Sequence, residues 1–182
     1  VAQMQMDHGA VGINCQKVTE AEAFADAGFA DILITYNILG AAKLARLRAL
    51  NDRLQVLRVV ADSETTVTWL AAAFSAARPL RVLVECDTGG GRVGVQTPAT
   101  AVALARAISA HPGLRFDGLL TYPAVGGAAR VEAFLSEAMA GLAAAELACP
   151  VRSNGGSPDL WQAHLVPCAH QAMSSRWQMP VA

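Results

Sequence analysis

The chain has 182 residues, 53% of them hydrophobic and 16% charged, with a formal net charge of −1 at neutral pH and a mean hydropathy of +0.33. These values exclude a disordered chain, which needs low hydrophobicity and high net charge, and provide no basic surface for nucleic acid. No run reaches the about 18 apolar residues of a membrane span. Val1–His8 shows neither region of a signal peptide, so one cytoplasmic domain with no membrane partner is expected.

In chain order, a helix-like start gives way to the apolar run Ala10–Cys15, which reads as a buried strand. Thr19-Glu20-Ala21-Glu22 has the form of a capping box, Thr19 accepting from the backbone and Glu22 reaching back. Gly28 stands where a left-handed C-cap would stop that helix. Further strands are expected at Asp31–Tyr36, Leu54–Ala61 and Arg81–Cys86. Thr97-Pro98 places an N-cap before a first-turn proline and opens a helix towards Ser109. After a strand at Phe116–Tyr122, the residues Val131, Phe134, Leu135, Met139 and Leu142 recur at three- and four-residue steps, marking one buried helix face. A last short strand is expected at Pro150–Arg152. This alternation predicts a parallel sheet covered by helices, and both an open doubly wound sheet and a closed barrel satisfy it. A complete (β/α)8 barrel typically takes about 250 residues, so the chain is about two units short of one.

The cysteines Cys15, Cys86, Cys149 and Cys168 form no CxxC pair, and the first three lie in apolar runs, as small hydrophobes do. The histidines show no metal-binding spacing; His164 and His170 lack a carboxylate partner, and no metal site is expected. Gly89, Gly91 and Gly94 match the dinucleotide fingerprint in spelling only, because the next helix signal waits until Thr97-Pro98 rather than beginning inside the motif. Ser153-Asn154-Gly155-Gly156-Ser157 follows the last strand, and its backbone N–H groups suit either a phosphate nest or an ordinary turn.

Taken in order, Gly9–Ala23, Asp31–Ile34, Ala42–Leu47, Val82–Val95, Pro112–Tyr122 and Ser153–Ser157 resemble the D-threonine aldolases. The wider group includes 3-hydroxy-D-aspartate aldolases, D-serine dehydratases and the N-terminal barrel of alanine racemase. The resemblance covers Ala2 to Pro167 and implies a parallel (β/α)8-type barrel, which favours barrel over open sheet. It also implies the cofactor pyridoxal 5′-phosphate (PLP), a small β-hydroxy-D-amino acid as substrate and a homodimer for the full-length form. By the same resemblance Ser153, Asn154, Gly155, Gly156 and Ser157 hold the cofactor phosphate. Arg92 lies near the pyridine nitrogen, and Tyr122 lines the pocket.

Two departures shape the expectation. The family's Schiff-base lysine lies on a first strand that would precede Ala2, and Lys17 and Lys43 fit a rim and a helix position instead. The β-rich second domain, which in full-length relatives supplies ligands for a divalent metal, has no counterpart, and Cys168–Ala182 diverges from the family. The expected object is an incomplete barrel of about six βα units over residues 1–167, first and last strands missing, with a divergent tail at 168–182. Such a fragment would lack aldolase activity on its own; the alternatives are a non-catalytic PLP-binding barrel or an inert gene remnant.

Overall fold

The computed structural model describes residues 1–156 and 164–169 in full and the backbone of 171–174 and 177–180. Helix α1 (Ala2–Asp7) precedes five strand–helix units: β1 (Ile13–Cys15), α2 (Val18–Asp26), β2 (Asp31–Ile34), α3 (Ala41–Arg53), β3 (Val56–Ala61), α4 (Glu64–Ala73), β4 (Leu80–Cys86), α5 (Pro98–Ser109), β5 (Leu114–Thr121) and α6 (Ala128–Ala144). Strand β6 (Val151–Gly155) follows, then β7 (Gln171–Ser174) and β8 (Trp177–Pro180). Neighbours in the sheet are neighbours in the chain; β1 to β7 run parallel, and β8 returns antiparallel to β7. A doubly wound sheet reverses its strand order part-way, and this one does not. The sheet curls until β8 lies beside β1. No ladder joins those two among the described residues, so the barrel is incomplete.

Residues alternate across each strand and divide the interior in two. Ile32, Ile34, Val59, Val82 and Val84 face outward into the main core, against Leu47, Leu50, Leu70, Leu104 and Leu135 of the helices. Leu33, Val60, Leu83 and Leu120 form a separate buried cluster on the inner face, with Val151 beside it. Below this apolar layer, at the strands' amino ends, lies a charged floor. Arg58 donates to Asp31 and to Asp117, each at 2.7 Å, and Arg81 and Arg115 stand 3.6 Å from Asp117. Asp117 is the extra residue of a β-bulge, because the β4–β5 register shifts between Val82 and Leu83. Gly118 then takes φ +143°, with the Val151 carbonyl where a side chain would start.

Several boundaries differ from the sequence reading. β1 starts only at Ile13, since the Ala10 N–H turns back to the Gln5 carbonyl at 3.1 Å and finishes α1. The capping box does not sit on Thr19. Helix α2 begins two residues earlier with Lys17 as N-cap, and Glu20 reaches back to the N–H groups of Gln16 and Lys17 at 2.9 and 3.3 Å. Glu22 pairs instead with Arg46 of α3. Gly28 does stop that helix, at φ +91°, with Phe29 N–H returning to the Phe24 carbonyl. Thr97 caps α5 through Thr100 N–H at 3.1 Å. The face of α6 is buried at Val131, Phe134, Leu135 and Leu142, with Met139 packed partly buried against the core. Beyond Pro167, β7 and β8 continue the sheet.

Candidate functional site

The segment after β4 is a closed excursion. Val95 N–H donates to the Glu85 carbonyl at 2.8 Å and Asp87 N–H to the Val95 carbonyl at 2.9 Å, so the chain leaves and rejoins the sheet at one point. Asp87 staples the loop from within, accepting from Gly89 N–H at 2.8 Å, Gly91 N–H at 3.1 Å and the Gln96 amide at 3.1 Å. Burial opposes ionisation of Asp87, but these donors outweigh it and hold the carboxyl below its ordinary range. Gly94 closes the excursion at φ +104°, where a Cβ would come 2.5 Å from the Asp87 nitrogen. The glycines therefore build a loop, and α5 starts only at Pro98.

That loop presents Arg92, whose guanidinium carbon stands 5.1 Å from the ring centre of Tyr122, the residue that follows β5. Both line a cavity of about 290 Å³ at the carboxyl ends of β4 and β5, together with Glu85, Gly89, Pro123 and Val125. No lysine lines it.

Glu85 carries a strongly perturbed carboxyl there. Burial pushes its carboxyl up to about 7, the Asp62 charge adds to the rise and Arg92 opposes it. The signal was present in the sequence as Leu83 and Glu85, alternate residues of one strand. Reading the run as uniformly buried strand hid the polar member. Elsewhere burial pushes the thiols up, Cys15 to about 12 and Cys149 to about 11, so neither behaves as a nucleophile.

The Ser153–Ser157 cluster is divided. Ser153, Asn154 and Gly155 are not a loop: they end β6, in register with Gln171, Ala172 and Met173, and only Gly156 lies beyond the strand. Flanking strands on both sides hold this polar stretch extended, which local sequence does not reveal. Ser157 lies outside the described residues. Ser153 pairs across the ladder with Leu120, and Asn154 with Thr121, next to Tyr122. Among the described residues the buried Ser153 hydroxyl has no hydrogen-bond partner, nor has the Asn154 Oδ1. Gly156, at φ +126°, lies against Pro123 of the cavity wall. A buried hydroxyl without a described partner, on a strand followed by a glycine with positive φ, fits a bound phosphate group, which would supply a partner. Among the described residues no group of three or more His, Cys, Asp or Glu side chains is placed to hold a metal. No described helix is long and apolar enough to cross a membrane.

Residues 1–174 match the model for the alanine racemase N-terminal domain. The chain belongs to that family. Within the alanine racemase N-terminal domain family, it is 41% identical to 3-hydroxy-D-aspartate aldolase of Paracoccus denitrificans over 115 residues, covering 63% of this chain and 30% of that one. It is also 41% identical to D-threonine aldolase of an Arthrobacter species over 123 residues, covering 67% and 32%. The crystal structure of D-threonine aldolase from Filomicrobium marinum superposes with a TM-score of 0.87 at 31% identity, over 95% of this chain and 50% of that one. D-threo-3-hydroxyaspartate dehydratase from Delftia sp. HT23 superposes at 0.75 with 29% identity, over 95% and 49%. This member of the alanine racemase N-terminal domain family thus spans about a third of those curated aldolases and half of the solved chains.

Proposed function

We propose that the mouth formed by the ends of β4, β5 and β6 holds PLP, and that the chain is the cofactor-binding part of a lyase acting on β-hydroxy-D-amino acids. The observation that supports this reading is the Ser153 hydroxyl, buried near the end of β6 with no hydrogen-bond partner among the described residues. In this reading Ser153, Asn154, Gly155, Gly156 and Ser157 accommodate the phosphate. Arg92 lies near the pyridine nitrogen and keeps it unprotonated, because a guanidinium has no proton to give up at neutral pH. Tyr122 holds Arg92 in place from below through its ring face. When bound, PLP supplies an electron sink for bond cleavage beside the amino group. A divalent metal, which the family resemblance implies for full-length relatives, would polarise the substrate hydroxyl.

A non-catalytic PLP holder is the second reading, and one observation favours it: both lysines line a different cavity from that of Arg92. PLP titration followed by borohydride treatment tests both readings. Reversible binding is expected, weakened about tenfold by Ser153→Ala or Arg92→Ala, as for loss of a hydrogen bond to a charged group, with no adduct fixed on Lys17 or Lys43. Equal affinity in the wild type and both variants, or no binding at all, overturns the cofactor site.

A further inference from the structure

The sequence contains two lysines, Lys17 and Lys43, and the fold brings both to one cavity of about 460 Å³. It opens where β1 passes into α2 and β2 into α3, and shares no lining residue with the Arg92 cavity. Arg46 also lines it but is neutralised by Glu22. Lys17 and Lys43 are exposed and have no carboxylate partner among the described residues. The nearest acid in α2, Glu20, is turned back onto the N–H groups of Gln16 and Lys17.

Two further features are independent of the lysines. Helix α3, of 13 residues, begins beside the cavity with no side-chain oxygen capping it, whereas the start of α2 is taken by Glu20. The first N–H groups of a helix have no intrahelical partner and carry partial positive charge. Tyr36, 46% exposed, supplies an aromatic surface beside the cations.

We propose that this cavity binds a small organic oxyanion, a carboxylate or a phosphate monoester, with its charged end between Lys17 and Lys43 and its body against Tyr36. The site is separate from the cofactor mouth and stands whether or not PLP binds there. Titrations of the 182-residue chain with phenyl phosphate, benzoate and inorganic phosphate, followed by amide chemical shifts and calorimetry, test it. Saturable binding of phenyl phosphate or benzoate is expected, tighter than that of inorganic phosphate, with shifts centred on Thr19, Tyr36 and Lys43. The tighter of the two aromatic anions identifies the headgroup. Lys17→Ala and Lys43→Ala should each weaken binding about tenfold, the loss typical of one charge-assisted hydrogen bond, while Ser153→Ala leaves it unchanged. In the wild-type chain, the bound anion should also slow acetylation of both lysine amines, a readout that needs no variant. Absence of saturation, unchanged affinity in the double lysine variant, or shifts centred on Arg92 would overturn the proposal.

Discussion

Replacing Glu85 by Gln removes a buried charge while keeping the side chain's shape, and the effect should depend on pH in a defined way. Folding raises the Glu85 carboxyl from 4.5 to about 7, chiefly through burial, with Asp62 adding and Arg92 opposing. Between those values the folded chain binds more proton than the unfolded one, so wild-type stability falls as pH rises through the window. Above about 7 the contribution is constant. The gap corresponds to about 3 kcal/mol at 1.36 kcal/mol per pKa unit. Urea unfolding of wild type and Glu85→Gln at pH 4.5, 6 and 8 reads this directly. With a denaturant slope of about 3 kcal/mol per molar, the difference between the two midpoints should move by about 1 M across the series, in favour of the variant at pH 8. The constant cost of seating an amide cancels in that comparison. Parallel curves for the two proteins would refute the claim that burial raises the Glu85 carboxyl.

Arg58→Met should destabilise the fold by about 3 kcal/mol, because it leaves the buried Asp117 carboxylate with only Arg81 and Arg115, each at 3.6 Å. The double variant Arg58→Met, Asp117→Leu should recover at least half of that in chemical denaturation; a loss equal to the sum of the single effects would show the floor is not a coupled unit. Gly118→Ala should cost more than about 3 kcal/mol, since its φ of +143° and the Val151 carbonyl leave no place for a methyl group. Full stability of that variant by thermal melting would contradict the bulge geometry.

Punctuation carried by the local backbone was legible in the sequence. Gly28 and Thr97 act within a few residues of themselves, and the structure uses both as the sequence suggests. What local text could not carry was partnership across the chain. Glu22 looked like a cap and is drawn away by Arg46, 24 residues on, which leaves the cap to Glu20. Ser153, Asn154 and Gly155 have turn-forming side chains, yet ladders from both neighbours hold them in a strand. The inner face was least legible. Arg58, Arg81 and Asp117 sit in runs that are otherwise apolar, and only the sheet brings them together as one floor, while Glu85, in the same kind of run, belongs to the mouth. Arg92 and Tyr122 could be named from resemblance, but their stacked arrangement depends on how the Asp87 staple folds the glycines.

The four-residue apolar layer of Leu33, Val60, Leu83 and Leu120 also acts as a spacer between two charged layers. The groups that perturb Asp31 below it are Arg58, Arg81 and Asp117, all on the floor. Those that perturb Glu85 above it are Asp62 and Arg92, both at the mouth. The two sets share no member, because the layer's thickness separates them and Coulomb interaction falls with distance. The amino ends of the strands can thus exchange charged partners during divergence without retuning the carboxyl ends, and the mouth can acquire new acid–base properties while the floor stays neutralised.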